Sequence, residues 1–187
     1  MNPEHVLPEE LSFTHHDAQQ VQLATFRDSL GHPVREWPKM LLPSTTVIVV
    51  EDLHVFPWNV LVHQRADNRH WGFPGGAQEA GESIQDCAIR ECHEESGYHV
   101  HLYQLTSLDS DPTHGAIVQY QDGSVQYTNL TFVATVLSGT LRVSHESLAV
   151  HWASIHNLPQ PFLVTHLWRL HQALMHFHEP KGHTSFR

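Results

Sequence analysis

The chain has 187 residues, of which 40% are hydrophobic and 16% are charged, and these values are typical of a globular protein with one domain. Ten basic and twenty acidic residues give a net charge of −10 with neutral histidines, which argues against a nucleic-acid partner. No stretch approaches the roughly 20 apolar residues of a membrane span and no secretory signal precedes the domain, so we expect no membrane partner and a cytoplasmic location.

The N-terminal part is predicted to be an irregular arm followed by a helix. Residues 1–12 contain two prolines, and Thr14 is a suitable N-cap for a helix that ends at Gly31. The apolar face of this helix either pairs two copies of the chain in a homodimer or covers the core. The predicted parts of the chain are the arm and helix (1–43), the main domain (44–178) and a C-terminal tail (179–187).

Runs of β-branched and aromatic residues predict a series of strands in the main domain. These predicted strands cover residues 45–50, 60–63, 98–108, 125–137 and 149–152. Asp122-Gly123 indicates a turn between extended segments. A closing helix over 162–177 is indicated by leucines at helical spacing, namely Leu163, Leu167, Leu170 and Leu174.

Between these strands, a loop rich in glycine and proline (71–76) leads to a helix that Ser83 caps and Gly97 ends. On a helical wheel, Cys87, Ala88 and Cys92 mark the apolar face of this helix. Three glutamates, Glu91, Glu94 and Glu95, fall within about 80° of the centre of that face. They therefore continue the inward stripe, whereas an ordinary charged face would lie on the opposite side.

Carboxylates at this spacing repel one another, and near the end of a helix they also oppose its dipole. A divalent cation offsets both effects, and oxygen ligands suit a hard ion such as Mg²⁺, with Mn²⁺ as a substitute. Arg90, four residues before Glu94, is placed to hold that carboxylate by an ion pair. Glu82, in the loop before the helix, is placed either to add an outer ligand or to hold that loop.

A zinc site is the competing interpretation of the same helix. Cys87, Cys92 and His93 spread too widely around the helix to converge on one ion, and they lack the spacing of a metal-binding pair. The two cysteines also point apart, which argues against a disulfide. We interpret both as packing residues.

The segment from Gly76 to Tyr98, GAQEAGESIQDCAIRECHEESGY, resembles the Nudix box. Its fixed positions are all present, as Gly76, Glu82, Arg90, Glu91, Glu94, Glu95 and Gly97. Cys92 and Tyr98 occupy the two bulky apolar positions, and with its flanks the resemblance extends over about 45–161. It implies an α/β fold, the Nudix-type α/β/α sandwich with a mixed central sheet.

The resemblance also implies roles for individual residues. Glu91, Glu94 and Glu95 would bind the magnesium that bridges the substrate phosphates, with the backbone carbonyl of Gly75 as a further ligand. Glu146 resembles the acid that some members bring in from a later loop. The metal would neutralise the diphosphate and lower the pKa of a water, and Glu94 or Glu91, with Glu146 behind them, would accept its proton.

Residues near the loop are candidates for contacting the substrate. Arg65 and Arg69 are placed to grip phosphate, although arginines near a strand end are often solvated. Gly76 opens the box itself and is included with them. Four aromatic residues either stack on a base or pack in the core, namely Trp71, Phe73, Tyr120 and Tyr127.

Together these features predict a Mg²⁺-dependent hydrolase that cleaves a phosphoanhydride bond in a nucleoside diphosphate derivative or a nucleoside triphosphate, with a nucleotide as its small-molecule partner. Arg90 is grouped with the catalytic acids that it holds. An ADP-ribose pyrophosphatase is a narrower alternative, to which Pro112 gives a weak hint. A nucleotide-sensing module without turnover is the alternative from another class, and isoprenoid isomerase chemistry is disfavoured because no cysteine lies outside the box helix.

Overall fold

The computed structural model describes residue 23 and residues 25–178. Within that part, a mixed sheet of seven strands carries one helix on each face. The strands are β1 (Met40–Val50), β2 (Asn59–Arg65), β3 (Trp71–Gly72), β4 (Tyr98–Asp109), β5 (Ile117–Tyr120), β6 (Gly123–Gly139) and β7 (Ser147–Ser154). The helices are α1 (Ile84–Ser96) and α2 (Val164–His178), and a 3-10 turn covers Pro112–His114.

The central sheet has the strand order β3-β2-β1-β6-β4, and β7 and β5 pair with β2 and β6. Strands β1 and β6 run parallel in register from Met40↔Val125 to Val50↔Thr135. The other strand pairs are antiparallel, so the sheet is mixed. This confirms the predicted α/β class and the mixed central sheet.

Strand β1 separates two halves of the hydrophobic core. Successive side chains of a strand point to opposite faces of the sheet. Val47 and Val49 pack with Ala88 and Cys92 of α1, whereas Ile48, on the other face, packs with the residues of α2. The run of apolar residues that predicted a buried strand therefore reflects a helix on each side.

Strand β1 begins at Met40, inside the stretch that the sequence analysis treated as a break. Pro43 lies within the strand, paired with Thr128 of β6. Its carbonyl accepts a hydrogen bond from the backbone N–H of Gln78 at 3.0 Å, so its nitrogen also faces away from β6. A proline there removes no hydrogen bond from the ladder between β1 and β6.

The helix predicted to end at Gly31 lies mostly outside the described residues, and its expected end is wrong. Residues 25–31 form turns and a bridge from Arg27 to Pro33. Asp28 accepts hydrogen bonds from the backbone N–H groups of Leu30 and His32 at 2.9 and 2.8 Å. Such a side-chain turn competes with helix formation. The homodimer interpretation of this helix remains a prediction.

The closing helix is confirmed, but one residue of its predicted apolar stripe is misplaced. Leu163 and Leu170 are buried, whereas Leu167 is 39% exposed. Ala173 is buried on the core side instead. No helix in the described ranges is long and apolar enough to cross a membrane.

Candidate active site

The two ends of helix α1 are fixed by the residues that the sequence indicated. Ser83 accepts a hydrogen bond from the backbone N–H of Asp86 at 3.1 Å, as an N-cap does. Gly97 ends the helix in the left-handed conformation, with φ 81°, and donates its N–H to the carbonyl of His93. The three glutamates therefore lie in the last turns of α1, beside the loop of residues 74–76.

Glu95 is the most deeply buried of the three glutamates, with 3% of its surface exposed. One carboxylate oxygen accepts the backbone N–H of Gly75 at 2.9 Å. Burial raises the pKa of Glu95 to about 8, although the Gly75 N–H acts in the opposite direction, and the charge of Glu91 adds to the rise. The Glu95 carboxyl thus requires a cation to be fully ionised at neutral pH.

A histidine lies behind Glu95. His63 on β2 is 1% exposed, and its Nε2 lies 3.6 Å from Oε2 of Glu95. Its Nδ1 is hydrogen bonded to the hydroxyl of Ser147 at 2.9 Å. Burial, with the charge of Arg65, lowers the pKa of His63 to about 4, so the imidazole is neutral and this contact is not an ion pair at pH 7.

Glu91 and Glu94 differ from Glu95 in exposure and in partners. The Glu91 side chain is 12% exposed and accepts a hydrogen bond from Arg90 at 2.9 Å. Burial raises the pKa of Glu91, while Arg90 acts against that rise. The Glu94 side chain is 57% exposed and accepts from Arg90 at 3.2 Å, as its spacing predicted. The helical wheel was therefore right about the inward direction of Glu91 and Glu95, but Glu94 lies at the edge of that face.

Arg90 joins the box helix to the loop before it. It donates to both carboxylate oxygens of Glu82, at 2.7 and 3.0 Å, and to the carbonyl of Ala77 at 3.2 Å. Glu82 also accepts the backbone N–H of Glu79 at 2.8 Å. Of the two roles expected for Glu82, the structure places it to hold the loop.

The backbone of the loop of residues 74–76 packs closely against the backbone of β1. Thr45 donates its N–H to the carbonyl of Gly76 at 2.9 Å, and Val47 donates to Pro74 at 2.7 Å. A Cβ at Gly76 would lie 2.5 Å from a carboxylate oxygen of Glu91, and one at Gly75 would collide with the carbonyl of Thr45. Gly76 thus leaves room for the Glu91 carboxylate, whereas Gly75 lets the loop approach the backbone of β1.

A cavity of about 500 Å³ opens at this point, and five carboxylate residues line it, namely Asp28, Asp67, Glu91, Glu95 and Glu146. Glu94 and Glu82 are not part of its lining. The wall that faces the carboxylates contains residues of β6 and α2, including Tyr127, Asn129, His166 and Arg169.

Only some of the residues predicted to contact substrate line the cavity. Arg65 and Gly76 line the cavity, but Arg65 already donates to both oxygens of Asp67, at 2.7 and 3.0 Å. Arg69 lies outside the lining, in a turn with φ 62°. Phe73 is fully buried and packs against Phe162, so it serves the core and offers no surface to a ligand.

Of the other aromatic candidates, one lies in the core and two line the cavity. Trp71 is buried in the core, at 9% exposure. Tyr120 and Tyr127 line the cavity, and their hydroxyl groups are 2.9 Å apart. Pro112 starts the 3-10 turn and is not among the lining residues.

His63, His166 and Arg169 lie at the site but were not predicted from the sequence. His63 lies in a strand segment of otherwise apolar residues, where it resembles an ordinary buried side chain. His166 and Arg169 interrupt the apolar face of α2 at helical spacing, close to Leu163 and Ala173. Polar residues on the buried face of a helix are the signal that would have identified them.

Within the described residues, no three His, Cys, Asp or Glu side chains are close enough to form a ready metal-binding group. Arg90 holds Glu91 and Glu94, while the Gly75 N–H holds Glu95. The α1 glutamates at the cavity, Glu91 and Glu95, nevertheless offer only oxygen ligands, and the burial of Glu95 favours a cation beside it. This chemistry fits a hard divalent ion. Cys87 and Cys92 are free and buried, which confirms that they are packing residues.

The chain is similar in sequence to several known proteins. Residues 40–174 match the model of the NUDIX domain. The chain is 30% identical over 128 residues to a MutT-like protein of Streptomyces ambofaciens, which covers 68% of this chain and 73% of that protein. It is 25% identical over 104 residues to an ADP-ribose pyrophosphatase of Methanocaldococcus jannaschii, which covers 54% of this chain and 57% of that protein.

A solved structure, the NUDIX domain of Shewanella oneidensis NrtR complexed with ADP ribose, is also similar. Its TM-score is 0.56 at 18% identity, and the match covers 73% of this chain and 88% of that chain. At this identity the likeness concerns the fold alone. The predicted α/β/α sandwich is therefore confirmed.

Proposed function

The chain belongs to the Nudix family of hydrolases, and we propose that it uses Mg²⁺ to cleave a phosphoanhydride bond in a nucleoside diphosphate derivative or a nucleoside triphosphate. The observation that carries this proposal is the pair Glu91 and Glu95, whose side chains line a cavity of about 500 Å³ beside Gly75 and Gly76. Carboxylates gathered at a cavity wall, with one almost completely buried, are stabilised by a divalent cation.

The proposed metal-binding set consists of Glu91, Glu95, the Gly75 carbonyl and, at the rim, Glu94. A bound Mg²⁺, or Mn²⁺ in its place, supplies neutralisation of the phosphate charge and a more acidic water. The chain itself contributes orientation: Arg90 holds Glu91 at 2.9 Å, and the Gly75 N–H holds Glu95 at 2.9 Å. Glu82 keeps the loop before the helix in place through Arg90.

We assign the role of proton acceptor to Glu146. The sequence favours Glu94 or Glu91, but Glu94 lies outside the cavity lining and Arg90 donates to Glu91. The Glu146 side chain lines the cavity and is 61% exposed, with a contact of 3.4 Å to His145. A carboxylate that is open to the cavity can accept a proton from an attacking water.

ADP-ribose is the first substrate to test. The support comes from the similarity to an ADP-ribose pyrophosphatase and to a NUDIX domain complexed with ADP ribose. The cavity also offers Tyr120 and Tyr127 as surfaces for a nucleoside. Hydrolysis at the diphosphate would release a nucleoside monophosphate.

The test is a panel of ADP-ribose, sugar nucleotides, dinucleotides and nucleoside triphosphates, assayed with Mg²⁺ or Mn²⁺ for release of phosphate or nucleotide. We expect turnover of at least one of them that EDTA abolishes. Absence of products across the panel would contradict the enzyme, and thermal stabilisation by a nucleotide without products would support the sensing module instead.

A further inference from the structure

Arg169 is a buried cation that the protein does not neutralise. It lies on α2, lines the cavity and is 8% exposed. Its Nη1 donates to the hydroxyl of Thr46 at 3.0 Å, but its Nε is buried without a hydrogen-bond partner in the described part of the chain. By contrast, the partly buried Arg90 is paired with Glu82 at 2.7 Å.

Thr46 does not compensate the charge of Arg169. Its hydroxyl oxygen already accepts from Asn129 at 3.2 Å, and a hydroxyl is a weak partner for a guanidinium. Asp109 acts on Arg169 only through its charge, since within the described residues the hydrogen bond of the Arg169 guanidinium goes to Thr46 and no ion pair joins it to Asp109. Burial lowers the pKa of Arg169 to about 10, so it stays cationic at neutral pH. An uncompensated buried charge destabilises the fold, which suggests a ligand-binding role.

A second donor lies on the same face of α2. His166 lines the cavity, and its Nδ1 accepts the backbone N–H of Phe73 at 2.9 Å. The proton of the neutral imidazole is therefore on Nε2, where it can be donated. Because Arg65 is already paired with Asp67, Arg169 is the cation on this wall that is free to bind an anion, and His166 adds a neutral donor beside it.

The donors and the carboxylates enter the cavity from different sides of the sheet. Arg169 contacts Thr46 on the face that α2 covers. Glu91 and Glu95 belong to α1, on the opposite face, and reach the cavity past Gly76 and its neighbour Gly75. An anionic group at Arg169 therefore need not be one that the carboxylates hold through a cation.

We propose that Arg169, assisted by the Nε2–H of His166, binds a phosphate oxyanion of the nucleotide ligand directly and without metal. The inference rests on the proposed function, since it assumes a nucleotide in this cavity. The oxyanion is either the phosphate next to the nucleoside or the phosphate of the other half of the substrate. Both have the same chemistry, and probes that carry one or the other distinguish them.

The test is calorimetric titration of the full chain in EDTA with AMP, ribose 5-phosphate and inorganic phosphate. We expect metal-free binding of AMP or ribose 5-phosphate, and the tighter ligand identifies which phosphate Arg169 holds. Arg169→Gln should weaken that binding roughly 10- to 100-fold, the loss expected for a hydrogen bond between charged groups. Arg169→Lys should retain part of it, because the charge remains and the planar fork does not.

Arg142→Gln is the matched control, since Arg142 is exposed and lies outside the cavity lining. It should bind the probes like the wild type. Arg169→Gln should melt at the same temperature as the unliganded wild type or higher, because it removes an uncompensated charge. If it does not fold, Arg169→Lys and the phosphate-induced rise in melting temperature of the wild type decide the matter.

The inference is overturned if the folded Arg169 variants bind the probes as tightly as the wild type, or if the wild type binds none of them without metal. These results are separate from the test of hydrolysis. Turnover with unchanged phosphate binding in Arg169→Gln would refute this inference and leave the enzyme intact. Loss of phosphate binding in Arg169→Gln, together with no turnover by the wild type, would support this inference and refute the proposed enzyme.

Discussion

The Nε2 atom of His63 lies 3.6 Å from a carboxylate oxygen of Glu95, and each of these side chains is at least 95% buried. Burial acts on them in opposite directions, lowering the pKa of His63 to about 4 and raising that of Glu95 to about 8. Both groups are therefore uncharged at neutral pH when no cation is bound. A cation bound beside Glu95 would favour the ionised form of its carboxyl group.

Glu95→Gln should reduce kcat/KM by about 100-fold or more at saturating Mg²⁺, because it removes the charge of a proposed metal ligand. Glu94→Gln should have a smaller effect, since the Glu94 side chain is 57% exposed and outside the cavity lining. Glu79→Gln, at an exposed loop position, serves as the control and should match the wild type. An equal loss in the Glu94 and Glu95 variants would contradict this ranking.

The stability of the metal-free protein should fall as pH rises through about 8, the pKa of folded Glu95. Below that pH the folded protein holds a proton that the unfolded chain, with an ordinary carboxyl pKa, has already lost, so the free energy of unfolding falls with rising pH until Glu95 itself ionises near 8. Urea unfolding in EDTA at pH 6.5 and 8.5 measures this change. Glu95→Gln should reduce it, Glu79→Gln should not, and an unchanged slope in Glu95→Gln would be incompatible with the buried carboxyl.

His63 should have the opposite effect at lower pH. Its folded pKa of about 4 lies below the ordinary histidine value of 6.5, so the unfolded chain binds more protons between these values and stability falls as pH drops from 6.5 toward 4. His63→Gln should lose less stability than the wild type between pH 7 and 5 in urea unfolding. His54→Gln, at an exposed position, should behave like the wild type, and equal slopes in all three proteins would count against the assignment.

Gly76→Ala should weaken Mg²⁺ binding with little effect on folding. The added Cβ would lie 2.5 Å from a carboxylate oxygen of Glu91 and would displace that side chain. Gly81→Ala is an informative comparison, because its Cβ meets nothing within 4 Å but its φ is 95°. That variant should lose about 1 kcal/mol of stability and keep its metal affinity. Metal titration and thermal melting of both variants measure these effects. Normal metal binding by Gly76→Ala would contradict the prediction.

Local patterns in the sequence were sufficient to predict the box helix, most strands and the ion pair between Arg90 and Glu94. Helix caps and side-chain periodicity depend on near neighbours along the chain, and they survive folding unchanged. The turn around Asp28 was missed because its side chain satisfies backbone groups that a helix would use.

The opposite wall of the cavity could not be predicted in this way. Arg169 and Thr46 are 123 positions apart and come together only through the packing of α2 on β1. Phe73 and Arg69 lie beside the box in sequence, yet one is in the core and the other outside the cavity lining. Proximity in sequence was enough to predict the side of the site proposed to bind metal, whereas tertiary packing determines which residues form the opposite wall.

Direct measurement of divalent-ion binding tests the central claim most sharply. Mn²⁺ or Mg²⁺ is titrated calorimetrically into the wild type, Glu91→Gln, Glu95→Gln and the control Glu79→Gln, each with and without AMP. We predict uptake by the wild type and the control and a strong loss of affinity in both other variants. No uptake by the wild type under either condition, or unchanged uptake by Glu95→Gln, would contradict the account.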